Sequence, residues 1–79
     1  MQVKIYAPFN IYFDGPADSL SANNETGPFD ILPRHRNFMS LLKKGLITVR
    51  QRGKSDFNLM IDQGVLHVRA NQVTVFLDV

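Results

Sequence analysis

The side chains able to do chemistry are few and scattered. Histidine stands only at positions 35 and 67, and cysteine is absent. Neither a His-x-x-x-His pair nor a thiolate set is available, so the three or four ligands a zinc ion requires cannot be assembled. The carboxylates are Asp14, Asp18, Glu25, Asp30, Asp56, Asp62 and Asp78. Most of them sit in turn-like segments, where a carboxylate accepts hydrogen bonds from nearby backbone N–H groups. Glycoside hydrolysis would need two of them facing each other across a cleft, for which a thin small domain has little room. A phosphate-cradling glycine loop and a nucleophile elbow are both missing. No catalytic residue, metal site or cofactor is expected.

The basic residues are more organised. They cluster as Arg34-His35-Arg36, Lys43-Lys44 and Arg50-Gln51-Arg52-Gly53-Lys54, within a formal net charge of +2. Such clusters attract nucleic acid or acidic protein loops, or simply solvate turns and strand ends. A small nucleic-acid-binding β-barrel is therefore one reading, with Tyr6, Tyr12, Phe57 and the Arg50–Lys54 turn as stacking and phosphate-binding groups. Against it, the charge is modest and the aromatics alternate as core positions do. Phe13, Phe29, Phe57 and Phe76 read as sandwich filling.

The elements that must position these residues follow a period of two. Val3, Ile5 and Ala7 alternate with Gln2, Lys4 and Tyr6, the pattern of a half-buried strand. Asn10 to Asp14 forms a second strand, with Ile11 and Phe13 sharing a face, and Asp14-Gly15-Pro16 is a turn signal. Ala17 to Ala22 is a third, with Leu20 and Ala22 opposed to Ser19 and Ser21. Residues 23–28 read as an exposed loop, and Asn24-Glu25-Thr26 as part of it rather than a glycan acceptor. Phe29 to Leu32 returns to apolar residues around Asp30. Phe38 to Leu42 suits either a helical turn or an edge strand. Leu46 to Arg50, Asp56 to Ile61, Val65 to Arg69 and Val73 to Val79 are strands joined by hairpin-sized connections. His67 falls on the outward side, with Val65 and Arg69. The expectation is one all-β domain over residues 1–79, a two-layer antiparallel β-sandwich or flattened barrel of about eight to ten short strands. At 79 residues with 44% hydrophobic content, its core is thin but feasible. Neither a signal peptide nor a membrane-spanning helix is expected.

One stretch is specific. Gly27-Pro28-Phe29-Asp30-Ile31-Leu32-Pro33-Arg34-His35, with Lys44-Gly45-Leu46-Ile47 following, resembles the signature of the N-terminal β-sandwich domain of the epsilon subunit of F-type ATP synthases. Phe13-Asp14-Gly15 with Ala17 to Ala22 resembles a second family hairpin. Gly64-Val65-Leu66-His67-Val68 with Asn71-Gln72-Val73-Thr74-Val75 resembles a third. Two positions depart from the pattern: Asp30 replaces a glycine, and Arg34 replaces the glycine before the histidine. Because arginine tolerates a left-handed backbone poorly, the second departure predicts a turn of different shape. The Leu-Pro-Arg-His variant, with Phe38 three residues on, is similar to the alternate F-type ATPase branch.

The resemblance implies a non-catalytic rotor subunit at the foot of the central stalk. Its partners would be the gamma subunit and the c-ring, with no nucleic acid, and it would sit on the cytoplasmic face of the membrane only through the complex. It implies ring contacts from Pro28, Phe29, Asp30, Arg34, His35 and Arg36, and gamma contacts from Phe38, Ser40, Leu42 and Asp62. The C-terminal helical hairpin usual in the family is not expected in this chain.

Overall fold

The fold is that of a computed structural model whose described residues are 1–77. Nine strands are seen among them: β1 Gln2–Ala7, β2 Asn10–Pro16, β3 Ser19–Asn24, β4 Gly27–Ile31, β5 Phe38–Leu42, β6 Gly45–Arg50, β7 Phe57–Ile61, β8 Gly64–Arg69 and β9 Gln72–Leu77. The first sheet has the order β2-β1-β9-β8-β5 and the second β4-β3-β6-β7. The two layers bury between them the inward halves of the alternating strands. Val3, Ile5, Leu66, Val68, Val73 and Val75 come from the first sheet, and Leu20, Ala22, Ile31, Ile47, Val49 and Ile61 from the second. Every fully buried side chain among the described residues is apolar. Each large one contributes about 1.5–3 kcal/mol by leaving water, offsetting the ordering entropy of a short chain.

Several expectations are corrected. The sandwich is not wholly antiparallel, since β1 and β9 pair in parallel, Val3 opposite Val73 and Ile5 opposite Val75. Each of the eight connections between β1 and β9 reverses the chain, so the two strands run the same way and can pair only in parallel. Asp14-Gly15-Pro16 is not a turn; β2 runs through Pro16, which is tolerated because β2 is an edge strand and needs no ladder N–H there. The expected loop at 23–28 contracts to a two-residue connection, Glu25-Thr26, whose Asn24 side chain accepts hydrogen bonds from the Thr26 N–H and hydroxyl. Ile11 and Phe13 do not share a face. Ile5 pairs with Phe13 and Tyr6 with Ile11, leaving Tyr12 as an extra bulge residue. Phe13 thus packs inward at 5.2 Å from Phe57, while Ile11 points out. The ambiguous 38–42 segment is a strand, its register with β8 supplying the pairing that a helical turn would lack. Val79, the expected last strand residue, lies outside the described residues.

The connections fall into two sets at opposite ends. Residues 17–18, 32–37, 51–56 and 70–71 lie at one end with Met1; residues 8–9, 25–26, 43–44 and 62–63 lie at the other. All five arginines, Arg34, Arg36, Arg50, Arg52 and Arg69, belong to the first end.

Candidate docking surfaces

The outer face of the five-stranded sheet carries an apolar stripe. Reading straight across the ladder, Leu41 opposes Val65, Val65 opposes Phe76, Phe76 opposes Tyr6, and Tyr6 opposes Ile11. Five outward positions, one per strand, are therefore apolar or aromatic in a single row. Leu41 is 69% exposed, Ile11 62% and Phe76 38%. Tyr6 and Phe76 meet edge to face at 5.2 Å, and the Lys4 ammonium lies over the Tyr6 ring. Met39, also exposed, extends the stripe along β5. Beside it, a shallow open depression of about 420 Å³ is lined by Leu41, Asp62, Gly64, Val65 and Phe76 among others.

The opposite outer face is polar at its centre. Asp30, Ser21, Thr48 and Asn58 form one row across the second sheet. The Ser21 hydroxyl donates to Asp30, that of Thr48 to Asn58, and Arg50 donates to Ser21. Leu46 and Met60 form an exposed apolar pair at one margin only.

The residues expected to meet gamma divide sharply. Leu42 is buried in the core and has no side chain to offer a partner. Phe38 and Ser40 share its inward direction; Phe38 packs on Phe29 and His35, and Ser40 accepts a hydrogen bond from the Asn24 amide. Period two explains this: along β5 the outward positions are Met39 and Leu41, one step out of phase with the expected ones. Asp62 is exposed and borders the stripe. Phe76, expected as core filling, is on the outer face for the same reason of phase.

The six residues expected to meet the ring are also separated. Arg34, His35 and Arg36 lie together in the connection between β4 and β5, with the His35 ring against Phe38 and its Nδ1 2.8 Å from the Arg36 carbonyl. Asp30 is mid-sheet, Phe29 turns toward the core, and Pro28 sits near the opposite end, about 10 Å down the strand from Ile31. Arg34 adopts φ 65°, a left-handed conformation that arginine tolerates poorly. Its N–H donates to the Asn71 side chain at 2.8 Å, docking the loop on the β8–β9 turn. That bond, together with the packing of His35, holds an arginine where glycine would be cheaper.

The constellation imagined for nucleic acid is not assembled. Tyr12 and Phe57 pack against the core, while Tyr6 faces out near the end opposite the Arg50–Lys54 turn.

Comparison with known proteins agrees with this architecture. Residues 1–79 match the family "ATP synthase, Delta/Epsilon chain, beta-sandwich domain". The chain is 30% identical over 78 residues to the ATP synthase epsilon chain of Nitratiruptor sp., covering 99% of this chain and 60% of that one. It is 35% identical over 78 residues to that of Hydrogenovibrio crunogenus, covering 54% of the relative. Among solved structures, it superposes on a chain of the Tetrahymena thermophila mitochondrial ATP synthase central stalk and c-ring, with a TM-score of 0.82 at 19% identity over 99% of this chain and 63% of that one. A chain of the Euglena gracilis mitochondrial ATP synthase gives 0.87 at 17% identity, over 95% and 48%. A match over the full 79 residues, with the same two-sheet sandwich, places this chain in the β-sandwich domain family of ATP synthase delta and epsilon chains.

Proposed function

We propose that the chain is a non-catalytic rotor component of an F-type ATP synthase or ATPase, joining gamma to the c-ring and reaching the membrane surface only through that complex. Family membership supports the assignment, and one observation carries the mode of docking: the apolar row Leu41–Val65–Phe76–Tyr6–Ile11 crosses an otherwise complete sheet. Exposed contiguous apolar surface on a small protein marks a contact with another macromolecule. A stripe rigidly spaced by five hydrogen-bonded strands offers gamma a flat face that transmits torque without deforming. Asp62 at its border supplies a polar rim.

Binding of purified gamma to variants tests this. Leu41→Glu is expected to weaken the complex at least about tenfold, by placing a charge in a desolvated contact. Met60→Glu, equally exposed on the opposite sheet, is expected to leave it unchanged. Equal binding by both variants and the unaltered chain would overturn the proposal.

A further inference from the structure

Each sheet leaves two strands at its margins, β2 and β5 in the first and β4 and β7 in the second. A marginal strand has unpaired backbone N–H and C=O groups along its outer side, a template for another strand. Three of these four margins are blunted. β2 carries the Tyr12 bulge and Pro16, which has no N–H to offer. β4 carries Pro28 and the charge of Asp30. β5 closes onto the second sheet: the Lys43 N–H donates to the Asn23 carbonyl at 2.9 Å, and the Asn24 amide to Ser40 at 3.1 Å.

β7 has none of these devices. Phe57, Asn58, Leu59, Met60 and Ile61 include no proline and no charged residue. Their register with β6 runs unbroken from Val49 opposite Phe57 to Gly45 opposite Ile61, so the strand is regular. Among the described residues, no strand pairs with its outer side.

A groove accompanies this free edge. A depression of about 360 Å³ opens between β7 and the first sheet, lined by Tyr12, Leu59, Met60, Ile61, Asp62 and Leu77. Its walls are mostly apolar, and Leu59 is only half-buried. Asp62 follows the last residue of β7, exposed and without an ion-pair partner among the described residues. Asp56, at the other end of the strand, faces Arg50 at 3.9 Å. The edge thus combines free backbone groups, an apolar slot and one uncompensated carboxylate.

We infer that β7 accepts an added antiparallel strand from a partner protein, with apolar side chains at alternate positions and a lysine or arginine beside Asp62. Main-chain hydrogen bonds supply the affinity, and the slot and carboxylate supply the selectivity. Antiparallel pairing, the more stable kind, puts the cation at the N-terminal end of the incoming strand. This goes beyond the gamma contact proposed above, because β7 belongs to the other sheet and the apolar stripe stays free.

An NMR titration of the isotope-labelled chain tests the inference. The probe is a short acetylated and amidated peptide, one lysine followed by alternating valine and threonine. Amide shifts are expected along β7 and not along β2, β4 or β5. Two further peptides carry N-methyl groups on alternate amides, in opposite phases. One is expected to lose all detectable binding and the other to keep it, since only one set of amides faces β7. Asp62→Asn is expected to lose about threefold in affinity for the lysine peptide. Any of four results would overturn the inference: no binding, shifts centred on another edge, equal binding by the two N-methylated peptides, or unchanged affinity in Asp62→Asn. A concentration-dependent dimer formed through β7 without peptide uptake would also overturn it, in favour of pairing between two copies of the chain.

Discussion

Arg34 holds a backbone conformation that costs the fold stability. Its backbone sits at φ 65°, where an L-side chain costs about 1–2 kcal/mol over the right-handed region. The N–H bond to Asn71 is a main-chain bond and survives any substitution except proline. Arg34→Gly is therefore expected to stabilise the fold by roughly 0.5–1 kcal/mol, after allowing for glycine's greater freedom in the unfolded chain. Urea denaturation would show a higher midpoint with an unchanged slope. A lower midpoint would mean that the arginine side chain itself holds the loop. Ala70 and Asn71 carry the same strain at φ 51° and 62°, as the two-residue hairpin between Arg69 and Gln72 requires.

At the scale of elements, the tightest seam lies where β8 begins beside the end of β9. A Cβ placed on Gly64 would stand 2.9 Å from the Phe76 carbonyl oxygen and 2.9 Å from Leu77 Cδ2. Backbone on one side and a buried leucine on the other leave little room to give. Gly64→Ala should force the two strands apart and cost about 1–3 kcal/mol. For a domain of this size the melting temperature falls by about 4–8 °C for each kcal/mol. An unchanged melting temperature would show that the seam can relax. Because Phe76 and Val65 flank this seam on the outer face, the same variant is expected to disturb the docking stripe. The bulge at Tyr12 is a second element-level device: one extra residue turns Phe13 inward and Ile11 outward, which completes the stripe on the edge strand.

The whole molecule separates its surfaces by direction. One broad face carries an apolar row across five strands, the other a hydrogen-bonded polar row, and one end gathers every arginine. A body measuring 28 × 25 × 19 Å can thus meet three different environments at once. Pro28 and His35 lie toward opposite ends, so cysteines introduced at each report which end meets the ring. In the assembled complex, crosslinking to a ring loop is expected from one of the two positions and not from both. Absence of a crosslink at both positions would remove the ring contact from the proposed function.

Alternation along single strands was enough to establish an all-β sandwich, the inward set Val3, Ile5, Leu20, Ala22, Leu66 and Val68, and the outward placement of His67, because burial on one face imposes period two locally. The ordered hairpin motifs were likewise enough to point to the family. Tertiary structure alone decided what depends on registration between strands distant in sequence. The parallel β1–β9 pair aligns Tyr6 with Phe76. The Tyr12 bulge sets the phase of Ile11, and the edge position of β5 turns Leu42 in and Leu41 out. No single strand records who its neighbour will be, and a shift of one residue reverses every side chain. The stripe was therefore present in the sequence only as five unconnected residues, and became a surface when the sheet was paired.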